Sequence, residues 1–273
     1  MAIFGPAKPL RQDELDWQLA AFQWLLEEFE GVERHAGSTL FNPDGDYFAD
    51  SALTGDQRAQ ELLLEIKQMM DIGDWPTRLV PMARIRAPEH ITDTIILQPI
   101  GPSSAGTFQL VEDESMRTIA QIRYAPDQLA DPPSLVATFA HELSHYLLTS
   151  RRHTFPGGDD LHELLTDLTA VFMGFGIFLV NSARNHVSYQ NALGSGWSSH
   201  SQGYLSERAL VTALAISERL AGRDPMAARP YLKKYLADDL AIVDRWLGKR
   251  DILSDVMAMN LADFGVVPLP SQV

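Results

Sequence analysis

The chain has 273 residues, 45% of them hydrophobic and 21% charged, with a formal net charge of −14 and no cysteine. So acidic a chain is unsuited to wrapping nucleic acid or lying on an anionic membrane, because phosphates would be repelled. The missing thiols exclude a disulfide scaffold, a zinc ribbon and a cysteine nucleophile. In chain order, "MAIFGPAKPL" has no basic start and no long apolar run, so no signal peptide is expected and the cytoplasm is the expected compartment. Residues 12–30 have the spacing of an amphipathic helix through Leu15, Leu19, Phe22, Leu26 and Phe29, with Gly31 as its stop. A turn-rich stretch follows, then a second helix from about Asp56 to Asp71, broken by Trp75-Pro76.

Short extended segments come next: "TRLVP", "TIILQPI", "TFQLV" and "RTIAQIRYA". The last alternates with the period of a half-exposed strand. From Asp131 the chain reads as helical, with Asp131 as cap and Pro132 in the first helical position. A loop, "SRRHTFPGGDD", separates this helix from another that starts at Asp159 or Asp160 and runs to about Asn181. Its apolar core, Leu168 to Val180, spans 13 residues, short for a membrane span, and reads as a buried helix. A polar loop rich in Ser and Gly follows, then helices at about 204–221 and 225–248, expected as an antiparallel pair joined at "GRDP". Strands early and helices late predict an α+β fold: a small, mostly antiparallel sheet on a helical body. Residues 1–75 read as an N-terminal helical cap region and 76–273 as the main domain, unless the two form one continuous domain.

The stretch "ATFAHELSHYLLTS" carries the chemistry. On a helix, positions i and i+4 share a face, so His141 and His145 can turn their imidazoles toward one ion. Glu142 lies about 100° around the helix and can approach a metal-bound water without ligating. With 8 histidines in the chain, chance supplies about 0.01 such H-E-x-x-H matches, so coincidence is a poor account of it. The competing account is a pair of core histidines satisfied by buried hydrogen bonds.

A catalytic zinc needs a third protein ligand and an open position. The pair His141/His145 followed by Glu163-x-x-x-Asp167 resembles the gluzincin metallopeptidases, the thermolysin-like clan. That resemblance implies a zincin-like fold, Zn2+ as cofactor and a peptide or protein substrate. It implies Glu163 as third ligand, Glu142 as general base and acid, and Asp167 as the carboxylate that orients His141. It covers about residues 117–180, and the strand before the active helix is expected to be a sheet edge to which an extended substrate could add. In that strand Arg117 or Arg123 could meet an acidic group. The clan also uses a Tyr or His from elsewhere to stabilise the oxyanion; His200 and Tyr204 are the candidates here.

Alternatives stand beside these readings. With Asp160 as N-cap, Glu163 would sit at N3 and close a capping box. Asp159 or Asp160 could ligate instead, and His162 reads as a surface residue of a first helical turn. His153 does not rescue a metzincin pattern, since Leu148 and Arg151 stand where Gly and His are required. A di-iron helix bundle lacks its second E-x-x-H unit. A zinc-containing regulatory or partner-binding protein without peptidase activity is the other functional class.

Overall fold

Helix α1 (Gln12–Glu28) starts where the Glu14 carboxylate accepts the Arg11 backbone N–H, and it ends before Gly31, whose φ of 87° suits only glycine readily. Every residue from Gln18 to Leu26 is buried, so this helix is enclosed nearly all round. The computed structural model describes residues 8–29, 31–44, 46–48, 51–82, 89–92, 95–97, 105–191 and 204–270, of which 89–92, 95–97 and 184–191 as backbone alone. A short α2 (Gly31–Ala36) follows, then α3 (Gly55–Met69), close to the expected second helix.

Strands β1 (Thr77–Pro81), β2 (Glu89–Thr92), β3 (Ile95–Leu97), β4 (Gly106–Glu112) and β5 (Thr118–Tyr124) come next. They form a three-stranded sheet in the order β1-β5-β4 and a separate antiparallel pair, β2-β3. The larger sheet is mixed: β4 pairs with β5 antiparallel, but β1 pairs with β5 parallel, Thr77 opposite Ala120 and Pro81 opposite Tyr124. The fold is therefore α+β with a small mixed sheet. The strand expected to offer a free edge, β5, lies in the middle, bonded on both sides. Among the described residues β4 is the edge strand on that side of the sheet.

Helix α4 (Pro132–Leu148) begins with Pro at its first position, where a missing N–H leaves nothing unsatisfied. Asp131 is the N-cap residue, but its side chain makes no cap bond. Ser134 to Leu148 are all buried, so the helix runs through the protein's interior. Its polar side chains are accommodated individually: Ser144 donates to the Ala140 carbonyl at 2.7 Å, and Thr138 accepts from Gln128 at 2.6 Å. The loop after α4 is fastened by Trp17, which donates to the Pro156 carbonyl, and by backbone bonds from Leu269 to Arg152 and from Thr154 to Val267.

The expected helix from Asp159 or Asp160 to Asn181 is in four parts. A 3₁₀ turn (Asp159–Leu161) leads into α5 (His162–Ala170), a π-helical segment (Val171–Phe175) and α6 (Gly176–Asn191). Gly174 sits in that π segment at φ 95°, its carbonyl accepts from the Phe41 N–H, and a Cβ there would lie 2.0 Å from the Thr39 carbonyl oxygen. Only glycine fits. Helix α6 takes up residues as far as Asn191, half of what reads as a polar loop; the rest of that loop, with His200, lies outside the described residues. The segment Asp159–Ala183 is apolar and long enough to cross a membrane by length and composition, but 83% of its most apolar window is buried inside the protein, as for a core helix.

Helices α7 (Glu207–Leu220) and α8 (Lys234–Leu247) do pack together, but not antiparallel. The pairs Glu207–Tyr235, Arg208–Asp239 and Arg219–Asp244 follow the same order along both helices, so the two run in the same sense. The segment between them includes a 3₁₀ stretch (Pro225–Tyr231) that carries the chain back before α8 starts. A short α9 (Ile252–Met257) follows. Trp24 of α1, Leu63 of α3, Phe139 of α4, Leu168 of α5, Phe178 of α6, Leu214 of α7 and Leu240 of α8 all belong to one buried apolar cluster.

Candidate metal centre

Helices α4 and α5 bring three donors to one point. His141 and His145 sit one turn apart on α4, and Glu163 lies in the first turn of α5. Oε2 of Glu163 is 3.3 Å from Nε2 of His141 and 3.5 Å from Nε2 of His145. One ligand atom from each residue lies within 4.8 Å of those of the other two. Bonds of 2.0–2.2 Å arranged tetrahedrally separate ligand atoms by about 3.3–3.5 Å, so both imidazole–carboxylate distances fit a common small cation. The two rings stand nearly perpendicular, at 85°.

The Nδ1 atoms of both rings have partners of their own, which fixes the direction of the Nε2 atoms. Nδ1 of His141 donates to Oδ1 of Asp167 at 2.9 Å, which turns Nε2 toward the centre. Thr166 donates its hydroxyl proton to the His162 carbonyl at 2.9 Å, and its oxygen lies 3.3 Å from Nδ1 of His145. It can therefore accept that N–H and orient the second imidazole in the same way. The other oxygen of Asp167, Oδ2, accepts the Leu205 backbone N–H at 2.8 Å. One carboxylate thus ties His141 to the residue next to Tyr204, whose ring centroid is 5.2 Å from that of His141.

Glu142 is buried beside this group, 4% exposed. Gly106 of β4 lies against it: a Cβ at 106 would be 2.6 Å from Oε1 of Glu142. Phe108, two residues along the same strand, stacks on His145 at 5.7 Å. The edge strand therefore runs alongside both the base candidate and His145.

Burial and charge set the protonation states. Burial pushes the Glu142 carboxyl up, to about 7, with Glu163 adding to the rise and His141 opposing it. Burial acts to lower His141, but its hydrogen bonds to Asp167 and Glu163 outweigh it and raise the imidazole to about 10. Burial lowers His145. For Glu163, burial works upward and is overcome by the two histidines, which hold the carboxylate well below its usual range. Burial and the Glu163, Glu142 and Asp167 carboxylates raise Tyr204. So anionic a setting around two imidazoles calls for a positive charge, which a proton on His141 or a divalent cation can supply.

The structure brings His141, Glu142, His145, Glu163, Asp167 and Tyr204 together. Glu163 is not a capping-box residue: α5 starts at His162 with Leu161 as N-cap, and no side chain caps it. Asp159 and Asp160 are exposed and are not part of the group. His153 turns the other way, with Nδ1 2.6 Å from the buried Glu28 carboxylate. His162, expected at the surface, is half-buried, stacked on Phe155 and 3.4 Å from Nδ1 of His145. Arg117 pairs with Asp113 in the β4–β5 turn. Thr166, Gly106 and Phe108 have no motif to reveal them, though Thr166 shares a helix face with Glu163 by the i+3 rule.

No family model, curated protein or solved structure matches the chain.

Proposed function

We propose that this protein is a zinc-dependent peptide hydrolase with a gluzincin-type site. The observation that carries the reading is the His141/His145/Glu163 triangle with a buried carboxylate, Glu142, directly beside it. The donor set of two imidazoles and one carboxylate is that of catalytic zinc sites, which keep a fourth position open. Zinc, when bound, makes a coordinated water acidic near pH 7 and polarises the scissile carbonyl.

The chain's own residues supply the rest. Glu142 takes a proton from the attacking water and delivers it to the leaving nitrogen, a role for which its buried carboxyl beside the three donors is placed. Its burial keeps bulk water from competing for the proton. Tyr204, protonated at neutral pH, offers its hydroxyl to the oxyanion. Asp167 and Thr166 hold the imidazoles with Nε2 toward the centre. The peptide pairs backbone to backbone along β4, the edge strand among the described residues, which runs past Glu142 and His145.

The test is metal analysis of the purified protein together with cleavage of a mixed peptide library followed by mass spectrometry. Expected results are one equivalent of zinc in the wild type, retained zinc without cleavage in Glu142→Gln, and loss of zinc in His141→Ala, His145→Ala and Glu163→Ala. Absence of zinc from the wild type would overturn the site. Bound zinc without cleavage of any peptide would instead support a zinc-containing binding protein.

A further inference from the structure

The three-stranded sheet turns one face to α4 and the other outward. Pairing sets its residues in rows: Thr107 lies opposite Arg123 and Arg123 opposite Val80, while Gln109 lies opposite Gln121 and Gln121 opposite Arg78. Paired residues share a face, and successive residues alternate between faces. The Cβ position of Gly106 faces Glu142, and the Phe108 ring stacks on His145. Thr107, Gln109, Gln121, Arg123 and Arg78 therefore make up a polar stretch of the outer face. Both arginines are exposed. The chain carries 36 acidic residues against 22 Lys and Arg, yet neither arginine has an ion-pair partner among the described residues. The Arg123 guanidinium lies 3.2 Å from the Gln121 amide, a neutral group. Arg117, in contrast, is taken up by Asp113 at 2.8 Å.

We propose that Arg123 selects substrates with a glutamate beside the bond that is cut, an inference that rests on the hydrolase reading above. A peptide added to β4 alternates as the sheet does. Its residues level with Gly106 and Phe108 face the metal centre, and the residue between them, opposite Thr107, faces outward. That residue stands two strand spacings from Arg123, about 10 Å, with only the short Thr107 side chain between. A glutamate and an arginine are both long enough to meet over that gap, and aspartate, one methylene shorter, meets it less well. Arg78, one row along, adds to the positive potential of the face. A substrate lysine at the same position would meet like charge, which penalises it. The pair is open to water, so the preference is modest: about two- to fivefold for glutamate over glutamine, the range that an exposed ion pair produces.

The experiment has two arms, both on the full chain loaded with zinc. In the first, a randomised peptide library is digested and the products are read by mass spectrometry, after which matched peptides with Glu, Gln or Lys at the enriched position are compared. The wild type should enrich Glu next to the cut and prefer Glu over Gln over Lys, with the difference in KM rather than kcat and shrinking as salt is added. Arg123→Glu should reverse the order, to Lys over Glu. Cleavage with no acidic enrichment beside the cut, or a wild-type order in Arg123→Glu, would overturn the proposal and leave the hydrolase reading standing. The second arm needs no cleavage. Glu142→Gln is titrated with labelled peptides of alternating Thr and Glu or alternating Thr and Gln, followed by fluorescence anisotropy. The Glu peptide should bind more tightly, and adding Arg123→Glu should remove that advantage. Equal affinity for the two peptides would overturn the proposal whether or not any peptide is cut, so failed specificity and failed hydrolysis give different results.

Discussion

Replacing Gly106 with alanine tests the link between the edge strand and the proton carrier. The added Cβ would stand 2.6 Å from Oε1 of Glu142 and 2.6 Å from Cγ2 of Thr138, whereas ordinary contact begins at 3.4 Å. Relief requires 3.4 − 2.6 = 0.8 Å of movement. Thr138 is itself held by Gln128, so the yielding group is the Glu142 carboxylate or the strand. A misplacement of about 1 Å at a reacting group slows catalysis by about 10²-fold. Gly106→Ala should therefore cut kcat/KM for peptide cleavage by roughly 10–100-fold and lower stability by about 1–3 kcal/mol, the range for overpacking. Zinc affinity should be unchanged, because the clash touches none of His141, His145 or Glu163. The assay pairs a fluorogenic peptide with zinc competition against a chromophoric chelator, and thermal unfolding gives the stability. Wild-type cleavage by a correctly folded Gly106→Ala would refute the assignment of proton transfer to Glu142 in this position. Loss of zinc would refute the separation of base from ligands.

Three further outcomes follow from the same geometry. Asp167→Asn places a donating NH2 where one of the two accepting oxygens faces the His141 or Leu205 N–H, so zinc affinity should fall about 10–100-fold; chelator competition that shows no change would mean Asp167 does not orient His141. Tyr204→Phe should lower kcat by about 10²-fold with KM nearly constant, as for removal of one oxyanion donor, and a change confined to KM would assign the hydroxyl to binding instead. His35, lowered mainly by burial to about 4 from an ordinary 6.5, stays neutral in the folded protein while the unfolded chain takes up a proton. Its contribution is complete above pH 6.5 and declines as pH falls toward 4, by on the order of 3 kcal/mol. His35→Phe should lose less stability than the wild type between pH 7 and pH 4.5 in urea unfolding, and equal losses would contradict this.

What the sequence determined by itself is what local periodicity can encode. A helix that holds His141 and His145 one turn apart puts both on one face wherever it packs, so the pair was readable from spacing alone. The same holds for α1, α3 and the strand periods, because each repeats within a handful of residues. The third donor was only half legible. Whether Glu163 capped a helix or faced the histidines depended on α5 starting at His162 rather than after Asp160, which the preceding 3₁₀ turn decides. Tertiary structure alone decided the rest. Alternation in 117–125 shows that a strand has two faces, but not which neighbours take its two edges; β1 and β4 took both, so that among the described residues these two, and not β5, are the edge strands. Amphipathicity in α7 and α8 says that each buries a face, and is blind to direction, so the return through 221–233 could reverse the expected pairing. The bond from Asp167 to Leu205 and the approach of Gly106 to Glu142 join residues distant in the chain, 38 positions apart in the first case. Such contacts depend on how whole elements dock, and nothing within either local pattern records the other partner.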